Sequence, residues 1–219
     1  MRTFQPRLDI LPLVQQRLWP ELEVVPSQFV LYGGTAIALR LGHRQSVDFD
    51  FFSSEPFEPG QLLEAIPLLR QGRRLQSKAN TVSVELEREA PVQLSFLGGL
   101  SLGRVGEPER ALSNHLSVAS MLDLAGLKAA VVQERALRKD YEDVAALLGA
   151  GIKLSDALGA ARALYRELFN PMITLKALCY FADGDLPTLP EKIKELLTRE
   201  AASAREIPEM HRLSDRIAP

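Results

Sequence analysis

One stretch decides the fold of this 219-residue chain: Leu31-Tyr-Gly-Gly-Thr-Ala-Ile-Ala-Leu-Arg-Leu-Gly-His-Arg-Gln-Ser-Val-Asp-Phe-Asp-Phe-Phe52. Its first residues end an apolar run that predicts a strand, and Gly33-Gly34 predicts a turn. Thr35 to Leu41 predicts a short helix, which Gly42 stops. The alternation from Val47 to Phe51 predicts a second strand. The order is therefore strand, turn, helix, strand.

Two carboxylates share one face of this second strand. Because side chains alternate along a strand, Asp48 and Asp50 point to one side, whereas Phe49 and Phe51 point to the other. Two residues of strand span about 6.6 to 6.8 Å. Unit charges at that separation repel by about 2.4 kcal/mol at an effective dielectric constant near 20. Magnesium (or manganese) prefers carboxylate and phosphate oxygens, so the pattern predicts a divalent metal site at these two residues.

The glycine turn predicts a phosphate site beside the metal site. A turn without side chains lets a triphosphate approach the amides at the start of a helix. In the alternative interpretation the glycines form an ordinary turn, and the strand acids pair with Arg40 or Arg44. Turn and acids together favour the nucleotide site. The residues predicted to bind nucleotide here are Gly33, Gly34, Thr35, Arg44 and Ser46.

Composition restricts the class of protein independently. A hydrophobic content of 46% suits a globular chain with a core. The 26 basic and 28 acidic residues give a net charge of −2, so any contact with nucleic acid is expected to be local. The one cysteine, Cys179, excludes an internal disulfide. Without a signal peptide or an apolar run of about 18 residues, a cytoplasmic protein with no membrane partner is expected.

The rest of the chain indicates a sheet followed by helices. Alternation over 81–87 and 92–97 predicts a β-hairpin. Residues 98–117 show little periodicity and predict a long connection, whereas helical spacing dominates from Val118 onward. We therefore predict an α/β (α+β) fold with a core domain at 1–117 and a helical lobe at 118–219.

Three blocks resemble the AbiEii/AbiGii-type toxin nucleotidyltransferases of the DNA polymerase beta superfamily. They are Gly33 to Phe52, Asp123 to Asp143, and the weaker Tyr180 to Pro187. The resemblance implies a polymerase-beta-like nucleotidyltransferase sheet with flanking helices, and a helical lobe that completes the active-site cleft. It also implies transfer of a nucleoside monophosphate from a nucleoside triphosphate with magnesium. The resemblance further implies that RNA, especially tRNA, is the acceptor. It also implies that the protein is the toxin of a type IV toxin–antitoxin system, with a cognate antitoxin as its partner.

Two further residues enter the site through the second block. Lys128 lies in an apolar helical stretch, where its ammonium either binds phosphate or reaches water beyond a buried stem. The resemblance favours triphosphate binding. Arg135 either reaches phosphate or holds Asp140. Asp140 itself either caps a helix or, as the family pattern implies, is catalytic together with Asp48 and Asp50.

One expected acid is missing, and two basic clusters are candidate RNA surfaces. The superfamily usually carries a third carboxylate on a later strand, and its best counterpart here is Ser95. A hydroxyl is neither an anionic ligand nor a strong base, so the alternative function is a catalytically weakened member that binds nucleotide or a partner protein. The basic candidates for RNA contact form two clusters: Arg70, Arg73, Arg74 and Lys78 in the first, and Arg135, Arg138 and Lys139 in the second.

Overall fold

The computed structural model describes residues 2–219 and divides into two compact units. The first unit comprises the chain up to Ser120 together with Ser214–Pro219, and the second comprises Met121–Leu213. The predicted boundary lay three residues earlier, and the predicted helical lobe included the C-terminal segment that the structure groups with the first unit. The segment joins that unit because Arg104 forms an antiparallel bridge with Ser214.

The first unit contains one mixed sheet of eight strands. The strands are β1 (Thr3–Phe4), β2 (Val30–Tyr32), β3 (Asp48–Phe52), β4 (Arg73–Lys78), β5 (Thr81–Glu87), β6 (Pro91–Leu97), β7 (Glu109–Ala111) and β8 (Ser117–Val118). Their order across the sheet is β1-β7-β8-β2-β3-β6-β5-β4. Strand β3 is therefore central, antiparallel to β2 and parallel to β6. The predicted hairpin is present as β5 and β6.

Helices occur in both units. The first unit holds α1 (Leu13–Leu18), α2 (Gly33–Leu41), α3 (Pro59–Ala65) and α4 (Pro67–Arg70), and the second holds α5 (Met121–Glu134), α6 (Arg138–Gly149), α7 (Leu154–Tyr165), α8 (Pro171–Ala177) and α9 (Glu191–Ser203). No single helix of the described chain is long and apolar enough to cross a membrane. Only α6 taken together with Leu154–Leu168 meets the length and hydropathy requirement, and this pair is bent by 118°. The sheet with flanking helices confirms the predicted α/β class.

An aromatic cluster packs beneath the central strand. Phe49 and Phe51 are fully buried, and the Phe51 ring stacks on Phe96 of β6 with ring centroids 4.8 Å apart. Phe29 also meets Phe96, edge to face, with ring centroids 5.1 Å apart. Aromatic pairs of this kind add about 0.5–1.5 kcal/mol each beyond area burial. This packing fixes the face to which β3 turns its apolar side chains, and hence the opposite face for its acids.

Three predicted elements differ from the structure. The helix predicted to begin at Val118 begins at Met121, because Val118 belongs to β8 and pairs with Leu31 of β2. The glycines predicted to precede α2 form its first turn, since the helix begins at Gly33. Part of the connection predicted at 98–117 is a strand, because Glu109–Ala111 pairs with β1 and β8 as β7. Helices α3 and α4 are separate because Ile66 precedes Pro67, and the residue before a proline is biased away from helical geometry.

Helices α5 and α7 of the second unit pack closely at Gly126. A Cβ at this position would lie 3.0 Å from the backbone nitrogen of Ala161 and 3.1 Å from the carbonyl carbon of Ala160. Both atoms belong to the backbone of α7 and have little freedom to move. Glycine is therefore needed here for space, although it costs about 1 kcal/mol relative to alanine within a helix.

We expect Gly126→Val to lower the free energy of unfolding by about 1–3 kcal/mol, because its methyl groups would overpack the α5–α7 contact. Gly149→Ala is the control, since a Cβ at the end of α6 meets no atom within 4 Å. Urea unfolding followed by circular dichroism measures both. Equal stability of Gly126→Val and the wild type would contradict the tight packing.

Candidate functional site

Hydroxyl groups join the glycine turn to the acidic strand. The Thr35 hydroxyl in the first turn of α2 donates a hydrogen bond to the backbone carbonyl of Asp48. Its oxygen also lies 2.8 Å from the Ser46 hydroxyl, in a second hydrogen bond. Thr35 and Ser46 are both buried, so these bonds are shielded from water. The predicted residues Thr35, Ser46 and Asp48 are thus in direct contact.

Both glycines of the turn lie against side chains of this same loop and strand. Gly33 has a φ of +75°, and a Cβ built on it would lie 2.7 Å from the Oδ2 of Asp50. A Cβ on Gly34 would overlap the Nη2 of Arg44 and lie 3.3 Å from its Cζ. The bare turn therefore holds a carboxylate and a guanidinium on consecutive residues. Four of the predicted site residues, Gly33, Gly34, Arg44 and Asp50, thus lie together with the three already described.

The strand pairing places Ser95 directly beside Asp50, at the position predicted for the missing acid. The Ser95 hydroxyl accepts hydrogen bonds from Ser83 and from Gln93, each at 3.1 Å. Within the described residues no group of three or more histidine, cysteine, aspartate or glutamate side chains is placed to hold a metal ion. The available acids are therefore Asp48 and Asp50. This set of two half-buried carboxylates fits magnesium, which is commonly held by one or two carboxylates plus phosphates.

Arg40 does not pair with the strand acids. Its guanidinium bonds Glu109 and the backbone carbonyl of Ala119, the latter at 2.8 Å. Burial lowers the pKa of this guanidinium, and the Glu109 carboxylate opposes that shift. The alternative prediction that Arg40 neutralises Asp48 or Asp50 is therefore wrong. The cation nearest to the glycine turn is Arg44.

Lys128 and Asp140 meet in a buried ion cluster of the second unit. The Lys128 ammonium in α5 lies 2.6 Å from Asp140 and 2.7 Å from Asp143, both in α6. Arg135 approaches Asp140 from the other side at 2.7 Å. Lys128 is only 4% exposed and both acids are fully buried. The hypothesis that the ammonium extends into water is therefore wrong, and the alternative that Arg135 holds Asp140 is confirmed.

The cluster controls the protonation of Asp140. Burial alone would raise the pKa of this carboxyl group, but the hydrogen bond from Arg135 and the charge of Lys128 outweigh burial and lower it. Burial and the negative charge of Asp140 together raise the pKa of the adjacent Tyr141 to about 12. Asp140 is therefore an anion at neutral pH. Asp143 was not predicted as a site residue, although its spacing of three from Asp140 on a helix indicates a shared face.

The comparisons with known proteins agree with this architecture. The family model described as nucleotidyl transferase AbiEii toxin, type IV toxin–antitoxin system, matches residues 21–214. The uncharacterised protein aq_aa25 of Aquifex aeolicus (strain VF5) is 28% identical over 183 residues, which are 80% of this chain and 86% of the relative.

Two solved structures share the fold. MenT4, the nucleotidyltransferase toxin Rv2826c of Mycobacterium tuberculosis H37Rv, superimposes with a TM-score of 0.57 at 16% identity, over 89% of this chain and 82% of that one. A crystal structure of a provisionally assigned nucleotidyltransferase from H. pylori superimposes with a TM-score of 0.55 at 17% identity, over 86% of this chain and 91% of that one. With the matched residues covering most of its length, this chain belongs to the AbiEii family of nucleotidyltransferase toxins.

Proposed function

We propose that this nucleotidyltransferase is magnesium-dependent and transfers a nucleoside monophosphate from a nucleoside triphosphate to a hydroxyl group of RNA, with tRNA as the proposed acceptor. One observation carries the proposal. Asp48 and Asp50 lie on the same face of β3, opposite the buried phenylalanines, and the glycine turn lies directly against Asp50. An acceptor oxygen forms a bond to the α-phosphorus while the bond from that phosphorus to the bridging oxygen breaks, so pyrophosphate leaves.

Six site residues of the first unit have defined tasks in this proposal. Asp48 and Asp50 hold the cation, which, when bound, neutralises phosphate charge and activates the attacking oxygen. Thr35 keeps β3 in place against the turn through its bond to the Asp48 carbonyl. Gly33, Gly34 and Ser46 shape the wall that the phosphates approach. Preorganised polar groups of this kind need no rearrangement during the reaction.

Lys128 and Asp140 extend the proposal to the second unit. We assign triphosphate contact to the Lys128 ammonium and assistance to the acceptor or the metal to the Asp140 carboxylate. Their support is a cluster of buried, mutually oriented charges, an arrangement that is common at functional sites but also occurs in purely structural networks. Asp143 shares the ammonium of Lys128, and so offers a direct comparison between the two roles.

The serine at position 95 favours a second candidate function. A positioned general base is typically worth about 10² to 10⁴ in rate, and the Ser95 hydroxyl cannot supply one. A protein with serine at this position and no other base would transfer nucleotide only slowly. Its main function would then be to bind nucleotide, or a partner such as a cognate antitoxin. Tight nucleotide binding without measurable transfer would select this candidate.

We expect Asp48→Asn to reduce transfer of labelled nucleotide to total RNA by at least about 100-fold, because it removes one anionic ligand of the proposed cation. The assay uses each of the four nucleoside triphosphates with magnesium. Asp9→Asn is the matched control, since Asp9 lies in an exposed ion pair with Arg7. Wild-type transfer by Asp48→Asn would refute the proposed metal site.

We expect Asp140→Asn and Asp143→Asn to lower the free energy of unfolding by about 1–3 kcal/mol each, since both weaken the buried ion cluster. The pKa of Asp140 is lower in the folded protein than in the unfolded chain, where it has its ordinary value of about 4. The ionised carboxylate therefore stabilises the folded protein above about pH 4, and this stabilisation is lost as the pH falls through the folded pKa. Urea unfolding between pH 7 and pH 2 should therefore show less acid sensitivity in Asp140→Asn.

Nucleotide transfer separates catalysis from folding in this pair. If Asp140 acts in the reaction, Asp140→Asn loses far more transfer than Asp143→Asn at equal folded fraction. Equal losses in the two variants would show that Asp140 only stabilises the second unit.

We expect the double variant Arg74→Gln/Lys78→Gln to transfer less nucleotide to RNA than the wild type. We also expect its RNA affinity, measured over a series of salt concentrations, to depend less on salt. Both residues lie on β4, which is exposed along its whole length and is the last strand of the sheet, three strands or about 14 Å from β3. Each lost phosphate contact lowers the slope of log affinity against log salt by about 0.7 for single strands. Lys192→Gln/Arg205→Gln is the charge-matched control. The same losses in both double variants would exclude β4 as the acceptor surface.

A further inference from the structure

We infer that the glycine turn is shaped around the guanidinium of Arg44, and that this guanidinium is the main protein ligand of the terminal phosphates of a nucleoside triphosphate. In the usual interpretation of such a turn, backbone amides bind the phosphates and the glycines simply admit them. The inference rests on the proposed function, and it makes Arg44, rather than the backbone amides, the main ligand that the first unit offers to the terminal phosphates.

The conformation of Gly34 shows that space, not backbone geometry, requires glycine there. Gly33 adopts a positive φ, whereas Gly34 does not, so the backbone at Gly34 accepts an L-residue. Glycine within a helix costs about 0.5–1 kcal/mol relative to alanine. The nearest atoms to a Cβ at this position are the Nη2 and Cζ of Arg44 and the Oγ of Ser46. The missing side chain therefore makes room for the guanidinium.

The guanidinium is also oriented by the loop that carries it. Its Nη1 donates a hydrogen bond to the backbone carbonyl of Gln45 at 2.9 Å, while Nη2 lies against Gly34. Two contacts at different nitrogens fix the plane of the group. A planar guanidinium presents its donors as a fork that matches two oxygens of a phosphate, which a lysine ammonium cannot do.

Charge balance supports the same assignment. The carboxylate of Asp50 lies beside Gly33, and the guanidinium of Arg44 lies beside Gly34. Groups of opposite charge are therefore next to consecutive residues of the turn. Two carboxylates alone would repel a polyphosphate. With a cation next to them, the carboxylates can bind the metal while the guanidinium binds the phosphates.

The first-turn amides of α2 are the competing ligand. Tyr32, which precedes the helix, provides no side-chain cap to them. The two possibilities predict different couplings between positions 34 and 44. If the amides bind phosphate, a methyl group at position 34 blocks them whether or not Arg44 is present. If the guanidinium binds phosphate, that methyl group acts only by displacing Arg44.

A double-mutant cycle tests the inference. Gly34→Ala, Arg44→Ala and the double variant are compared with the wild type by isothermal titration calorimetry, using each nucleoside triphosphate and the matching monophosphate with magnesium. We expect each single variant to weaken triphosphate binding about tenfold or more, and the double variant to be no weaker than the worse single one. Monophosphate binding should change little, because the monophosphate lacks the terminal phosphates.

Multiplicative losses in the double variant would overturn the inference in favour of the amides, while leaving the proposed function intact. Absence of triphosphate binding by the wild-type protein would overturn the proposed function as well. Arg44→Lys keeps the result interpretable if Gly34→Ala fails to fold. It retains the charge and removes the fork, so we expect most of the loss to persist, and wild-type affinity in Arg44→Lys would also overturn the inference.

Discussion

The arrangement of the first unit depends on the alternation of acids and aromatic rings along β3. Phe51 stacks on Phe96 and Phe49 packs against Trp19, and this packing forces Asp48 and Asp50 onto the opposite face. Sliding the strand by one residue would expose both rings and bury both acids, at a cost of several kcal/mol. The like charges of the acids are thus held together by burial of their neighbours. In our proposal, a divalent cation relieves the resulting repulsion.

The carboxylates proposed to act in the two units differ in how deeply they are buried. In the second unit Lys128 and Arg135 compensate the buried carboxylates of Asp140 and Asp143 through direct ion pairs. Removing one partner of such a cluster leaves another charge poorly compensated in a medium of low dielectric constant. Asp48 and Asp50 of the first unit are instead half-buried, where water and a ligand can reach them. This contrast is why the first unit provides the metal-binding carboxylates in our proposal.

The hydroxyl groups near the acids add order without adding charge. Thr35 and Ser46 join the turn to β3, and Ser95 accepts two hydrogen bonds beside Asp50. An acid at position 95 would increase the repulsion at the site but would also provide another metal ligand or a base. The serine therefore leaves the site with two strand carboxylates, and in our proposal cationic groups such as Arg44 provide a larger share of the phosphate binding.

Local patterns in the sequence determined the central motif, because period-two alternation, glycine content and helix stops act over a few residues. They predicted β3 with its two acids, the β5–β6 hairpin, the stop of α2 at Gly42 and the helical second half. The same patterns could not identify the partners of Lys128, Arg40 and Arg44, since a long side chain chooses among groups that are distant in sequence. The role of Gly34 depends on a guanidinium ten residues away, and Val118 is a strand residue only because Leu31 pairs with it. Tertiary structure alone decided these contacts, because each requires two segments to be brought together in space before their charges, hydrogen bonds and volumes can act on one another.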